Sequence, residues 1–380
     1  MALTTIQVNN KLIRFRKEIY REFIRENMFA PYMGTGLTAI IRVLSDLKAG
    51  GEQVNVPLVA RLQAVAIANG TLAGNEEAID NYGCRFWIDW ARNAVRTNKQ
   101  EIHRDSADLF DYARPLLADW GKELLKNEIV DAFNSVTSES APPNLGTANG
   151  QRVNGVLIDS ATAGQRNTWV TDNQDRVLFG ASVSNYSTTF ATALATLDTV
   201  NDKLDSTKLK LMKRLAMRTN PRIRPFKTND GYDFYIAFCG PNAFRDFAND
   251  SVVINANQYA RPRERGYEKN PLFNDGDLLL DGVIIRQVPE MDTRNPTLYT
   301  TAGTGSTKVA PVFLCGQGAQ ALFYGQMPRP TTLDNTDYQF LRGVGIEMAY
   351  GIGKLFKKTV GGNLKDWGVF TGFFSAADDA

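Results

Sequence analysis

Apolar residues in the segment 11–27 fall at Leu12, Phe15, Ile19, Phe23 and Ile24, a spacing that predicts one stripe of an amphipathic helix. The other face carries Arg14, Glu18 and Arg21, then Glu22 and Arg25, at i,i+3 or i,i+4, where opposite charges add about 0.2–0.5 kcal/mol a pair. Such a helix can lie on its own domain or reach along another subunit. After Ala49-Gly50-Gly51 the period becomes two: Val54, Val56 and Leu58 alternate with Gln53, Asn55 and Pro57, a strand pattern with Pro57 at an edge position. A stretch of small residues and the pair Glu76-Glu77 then lead to a second alternating run. Its pattern puts Tyr82, Cys84, Phe86, Ile88 and Trp90 on one face and Arg85, Trp87 and Asp89 on the other. Together the two runs predict a long β-hairpin, too thin to own a core.

Helical period returns over 104–137, with Leu109, Ala113, Leu116, Trp120, Leu124, Ile129, Phe133 and Val136. Within it, Pro115 and Gly121 predict either a kink or a helix that begins with Pro115 in its first turn. From Ser138 to about Asp198 the abundance of Ser, Thr, Asn and Gly, with Pro142-Pro143, predicts loops and short strands. A helix is expected over Asp205–Arg218, a strand over Tyr232–Phe238 and a short helix over Pro241–Phe247. Further strands are expected at Gly282–Val288, Pro311–Cys315 and around Phe340–Tyr350. Helices and strands do not alternate regularly, so the class is α+β.

Composition narrows the chemistry. The chain has 380 residues, 43 Lys+Arg against 41 Asp+Glu, one histidine and three cysteines. That length permits a sizeable core and would ordinarily give two or three domains. Cys84, Cys239 and Cys315 are odd in number and widely spaced, against a disulfide framework and for a reducing compartment. His103 alone cannot build a multi-histidine zinc site, and no C-x-x-C is present. A formal charge of +2 disfavours a protein whose whole surface clamps DNA. No signal peptide and no apolar run of about 18 residues is encoded, so no membrane contact and a cytosolic origin are expected.

Individual motifs are weak. Gly316-Gln317-Gly318-Ala319-Gln320-Ala321 has the G-x-G-x-x-A form of a dinucleotide loop and follows an apolar run. What comes next, Gln326-Met327-Pro328-Arg329-Pro330, does not continue a βαβ unit, so a structural strand-turn-helix is the better expectation. Gly353-Lys354 lacks the first glycine and the Ser or Thr of a P-loop, and Asp275, Asp277 and Asp281 miss the calcium-loop spacing. No cofactor, metal or catalytic residue is therefore assigned. Basic residues do cluster: Lys208, Lys210, Lys213 and Arg214 open a run that continues to Lys227 without an acid, and Arg261, Arg263 and Arg265 surround Pro262. Local positive charge of this size can meet phosphate or another subunit's carboxylates.

The order of elements, from charged arm through coreless hairpin and long helix to a loop-rich α/β region and closing strands, resembles the major capsid proteins of tailed bacteriophages. These have the Hong Kong 97-type fold, with N-arm, E-loop, spine helix, peripheral domain and axial domain. Within that group the chain is similar to the phage N4-like family. The residues that carry the likeness are Gly74-Asn75-Glu76-Glu77 leading into Trp87-Ile88-Asp89-Trp90-Ala91-Arg92-Asn93-Ala94-Val95, and Asp172-Asn173-Gln174-Asp175-Arg176-Val177-Leu178-Phe179-Gly180. Later come Asn270-Pro271-Leu272-Phe273 with Asp281-Gly282-Val283-Ile284-Ile285, then Leu314 to Ala321, and Asp366-Trp367-Gly368-Val369.

The resemblance implies an arm over 1–47, an E-loop over 48–97, and a peripheral domain with the spine helix over 98–140. It further implies a loop-rich axial domain over 141–325 and closing strands of the peripheral domain over 326–380. It implies a non-enzymatic subunit that assembles as hexamers and pentamers into an icosahedral shell around double-stranded DNA. Portal, scaffold and decoration proteins are the other implied partners, the host cytoplasm the place of assembly and the virion capsid the final location. No lysine occurs between Lys48 and Lys99, which excludes a covalent crosslink through a hairpin lysine. Glu52, Glu76, Glu77 and Asp80 are instead expected to meet arginines of an adjacent subunit, with Arg261, Arg263 and Arg265 as candidates. Gly50, Gly51, Gly70 and Gly74 are candidate hinges of the hairpin, and Lys208, Lys210, Lys213 and Arg214 are candidates to face DNA. Two other functions fit the residues less well: a nucleic-acid-binding protein using the basic 208–227 face, and a dinucleotide-binding oxidoreductase.

Overall fold

The computed structural model describes residues 27–45, 52–59, 62, 64–79, 81–104, 109–227, 231–259, 278–336, 338, 340–359 and 361–379. The expected arm helix, Gly50, Gly51, Asp80, Asp275, Asp277 and the 261–265 arginines lie outside these residues. An aromatic anchor stands at Phe29. Phe29 is fully buried, its ring centroid 5.0 Å from that of Phe238 and 6.4 Å from that of Phe133.

Two β-sheets organise the subunit. A five-stranded sheet has the order Met33–Gly34, Ile41–Leu44, Gln320–Thr336, Leu341–Lys354 and Asp89–Asn98. Its two longest strands form one antiparallel hairpin whose register shifts at Tyr324/Gln326, Gln326/Arg329 and Leu333/Thr336, irregularities that bend a long strand. A larger, seven-stranded sheet has the order Leu278–Leu280, Val283–Gln287, Asp233–Cys239, Val309–Cys315, Val369–Ser375 and Val177–Phe179, with Phe226–Lys227 beside Asp233–Cys239. Its central strand Val309–Cys315 is buried at every position, the near-continuous apolar run of a strand covered on both faces. Because Val369–Ser375 pairs with Val309–Cys315 and Val177–Phe179, the end of the chain returns to the larger sheet. The 326–380 segment is thus divided between the two sheets.

The long helix runs from Ala113 to Phe133 with Pro115 in its first turn, where a missing N–H costs nothing. Gly121 stays inside it and faces the sheet, where a Cβ would meet Ile346 at 3.6 Å, an ordinary contact. The helix is not simply amphipathic. Lys126 pairs with Glu290 at 2.6 Å, Glu128 with Arg152 at 2.6 Å and Asp131 with Arg294 at 2.6 Å. These bonds let polar residues on its flanks be buried. Near its end, Phe133 stacks on Phe313 of the larger sheet at 5.1 Å, so one cluster running from Ile41 to Val369 joins both sheets.

The loop-rich region differs from its sequence pattern. Helices Ala163–Asp172 and Phe190–Ala195 occupy what composition predicts as loops and short strands. The first is started by a capping box, in which Thr162 accepts from the backbone of Gln165 and Gln165 reaches back to the backbone of Thr162. Ser251–Tyr259 is a further helix without a periodic signal strong enough to predict it. After Gly316–Gly318 the chain enters the strand Gln320–Thr336, so the expected strand-turn-helix is a strand-turn-strand.

Candidate assembly site

The hairpin consists of Gln53–Val59 and Asn81–Trp87, paired from Gln53 opposite Trp87 to Val59 opposite Asn81. Its base is tied to the body of its own subunit. Val56, Cys84 and Phe86 pack with Ala321, Phe323, Leu355 and Phe356, and the Phe86 and Phe323 rings are 4.8 Å apart. Asn154 accepts from the Trp87 backbone N–H at 2.8 Å and donates to the Trp87 carbonyl at 3.1 Å. Burial pushes the Cys84 thiol up to about 12, which keeps it protonated within the packed base of the hairpin.

The expected inward face holds as far as Ile88, which packs against the Cys84 and Phe86 cluster, while the outward face fails at Trp87. Cys84 and Phe86 point inward as predicted, but Trp87, Asp89 and Ala91 are then buried and Trp90 is 51% exposed. Ile88 interrupts the strand where it leaves the hairpin for the five-stranded sheet, and a one-residue break in strand geometry reverses every side chain beyond it. Asp89 is fixed inward because its carboxylate accepts from the backbone N–H of Trp90 at 2.8 Å and of Gly146 at 3.1 Å.

Beyond this base the hairpin has no cover. Val59, Leu62, Val65, Leu72 and Ile79 are between 57% and 89% exposed, an unusual concentration of apolar side chains for one thin projection. The turn nevertheless has internal order. Glu77 accepts from the backbone N–H of Ala64 at 2.7 Å and Glu76 from that of Gly74 at 2.7 Å. Gly74 has a φ of +90°, which favours glycine, whereas Gly70 is not in that region. Glu52 is exposed at the hairpin's base, and its carbonyl accepts from the Ile88 N–H at 3.0 Å.

The basic face divides into two parts. Lys208 is buried against Asp205 at 2.5 Å, and Lys213 reaches the carbonyl and carboxylate of Asp281; both are held within the fold. Lys210 and Arg214 are exposed on the same helix, Ser206–Ala216. Beyond that helix, the 217–227 segment forms one wall of a cleft of about 1000 Å³. This wall is fixed from behind: Ile223 is fully buried, Tyr235 Oη donates to its carbonyl at 3.0 Å, and Gln317 Nε2 donates to the Pro225 carbonyl at 2.8 Å. The Gly316–Gly318 turn supports the same wall. A Cβ on Gly316 would collide with the Arg224 carbonyl, and Gly318 has a φ of +65°. Its glycines serve close packing and a left-handed turn, not a pyrophosphate. Likewise Gly353-Lys354 lies inside the strand Leu341–Lys354, with Lys354 paired to Asp366 at 2.7 Å.

His103 is exposed in the last turn of the helix Lys99–Arg104, and the three cysteines are buried free thiols. Among the described residues no group of three or more His, Cys, Asp or Glu could hold a metal, and no helix is long and apolar enough to cross a membrane. Sequence reasoning missed the cleft because Lys357 and Trp367, which line it opposite Arg222 and Arg224, are more than 130 residues away. Only the lack of acids between Lys208 and Lys227 hinted at it.

A family model described as phage capsid protein matches residues 4–371. Among solved structures, the chain is similar to the capsid subunit of cyanophage Pam1, with a TM-score of 0.86, 33% identity and 100% of both chains covered. It is also similar to the capsid of Ralstonia phage GP4, with a TM-score of 0.70, 18% identity and 100% of both chains covered. The capsid of Helicobacter pylori bacteriophage KHP30 shares the fold at a TM-score of 0.66 and 12% identity, with 98% and 99% covered. No curated protein matches the sequence.

Proposed function

The chain belongs to the phage capsid protein family, and on that premise we propose that it is the major capsid protein of a tailed phage. In this reading it self-assembles as hexamers and pentamers into an icosahedral shell enclosing double-stranded DNA, in the cytoplasm of the host, and it belongs to the N4-like branch of the family. The observation that carries the reading is the hairpin. Its base is built into the subunit, while Leu62, Val65, Leu72 and Ile79 stand in solvent with no core of their own. A projection of that kind gains its burial from another chain, and in a closed symmetric assembly each copy both gives and receives it. The near-neutral charge suits a container for DNA, because every neutralised phosphate would add affinity. Scaffold and portal proteins are the partners this role requires, with a decoration protein as a further one.

Electron microscopy of the purified protein, expressed with and without the scaffold protein of its phage, tests the reading. Shells, tubes or isolated capsomers are expected. A monodisperse monomer under all of these conditions would overturn it.

A further inference from the structure

The cleft beside the hairpin is strongly cationic. Arg218, Arg222, Arg224 and Lys227 line it together with Lys357, and among the described residues Asp233 is the one acid in its lining. Arg218, Arg222, Arg224 and Lys227 are exposed and have no ion-pair partner among the described residues. Arg222 and Arg224 flank the buried Ile223, so both are presented outward from one fixed strand of chain. Like charges gathered this closely repel one another until an anion arrives. The floor is mixed, with Met217 and Val59, 40% and 61% exposed, and the half-buried Trp367 offering apolar surface between the cations. At about 1000 Å³ the cleft lies at the top of the small-molecule range of about 300–1000 Å³. Its charged, open rim suits a segment of chain better than an enclosed small ligand.

One exposed segment of this protein has the complementary chemistry. Between Leu62 and Cys84 there is no lysine or arginine, and Glu76, Glu77 and Asp80 supply three negative charges. The same turn exposes Leu72 at 69% and Ile79 at 67%. Among the described residues the turn does not line its own cleft, to which the hairpin contributes Val59. The N-terminal segment does not fit: residues 1–26 hold six basic residues, at 11, 14, 16, 17, 21 and 25, against three acidic ones, at 18, 22 and 26.

We propose that the 217–227 cleft receives the acidic hairpin turn around Glu76 and Glu77 of a second copy of this chain. Guanidinium groups of Arg222 and Arg224 meet the carboxylates, with the planar geometry that favours Arg–carboxylate pairs, and Leu72 and Ile79 cover Met217, Val59 and Trp367. This rests on the capsid-subunit reading and adds the surface on which the hairpin lands.

Charge exchange in the full chain provides the test. R222E/R224E and E76K/E77K should each lower particle yield at least tenfold, and their combination should restore it to within threefold of the parent. A short bis-maleimide should join E77C to R222C between subunits of assembled particles, giving dimers and longer covalent chains that neither single variant gives. The native thiols are buried and supply no background. Two results would overturn the proposal: normal assembly of R222E/R224E, or crosslinking of E77C to R263C but not to R222C. If the normally formed R222E/R224E particles also lose DNA at lower salt, the cleft is assigned to packaged phosphates. A parent chain that forms no particles at all would overturn the capsid-subunit reading itself.

Discussion

Lys354 and Asp366 show how single residues hold this subunit together. Both side chains are 2% exposed and 2.7 Å apart. Asp366 also accepts from Trp169 Nε1 at 3.3 Å and from the Thr137 hydroxyl, and its carbonyl accepts from Arg176. Lys354 further lies over the Trp169 ring at 5.0 Å. Leaving one buried charge without its partner costs about 3–5 kcal/mol, whereas removing both charges costs far less. K354M is therefore expected to lose about 3–5 kcal/mol in urea unfolding of the unassembled subunit, and K354M/D366N to regain at least half of that loss. A single variant as stable as the parent would show that the pair is not a structural tie. The terminal segment gives a pH-dependent counterpart. Hydrogen bonding to Lys308 holds the Asp378 carboxyl below the usual carboxylate range. A carboxyl with a lowered folded value stabilises above its unfolded value of about 3.9 and loses that contribution as the pH falls below it. The stability difference between parent and D378N should be constant above about pH 5 and vanish in stronger acid; a difference that grows in acid would contradict this. Sequence pattern could place Cys84 and Phe86 inside, but not Trp90 outside or Lys208 inside. Those two depend on the strand break at Ile88 and on Asp205 as a partner.

Among the elements, those with a clean period were legible. The hairpin strands, the helix Ser206–Ala216 and the strand Asp233–Cys239 follow their apolar spacing within a few residues. The helix Ala163–Asp172 was not legible because Trp169 and Val170 are its only large buried apolar residues. Its Thr162–Gln165 box was the signal available. The hairpin also carries the sharpest prediction at this scale. Leu72 and Ile79 are exposed in the single subunit, and exposed substitutions away from caps and strained positions change stability by about 0.5 kcal/mol or less. L72D/I79D should leave the subunit's unfolding midpoint in place while abolishing shells under conditions where the parent assembles, as read by urea titration and electron microscopy. Shells formed at the parent's yield would show that the turn is not an assembly contact.

For the molecule as a whole, the pattern along the chain predicted an α+β class but not how the sheets interleave. Strands far apart in sequence, Ile41–Leu44 with Gln320–Thr336 and Val177–Phe179 with Val369–Ser375, pair side by side, and no local periodicity encodes such partners. The consequence is one body whose two sheets share the cluster around Phe29, Phe133, Phe238 and Phe313, with a hairpin that this core does not reach. The account's central claim is that the hairpin turn completes its packing only in the assembly. Hydrogen exchange of peptides spanning that turn, compared between dissociated subunits and assembled particles, tests it most directly. Exchange should be fast in the subunit and slowed at least a hundredfold in the particle, while peptides of the strand Val309–Cys315 stay protected in both. Equal, fast exchange of the turn in both states would contradict the account.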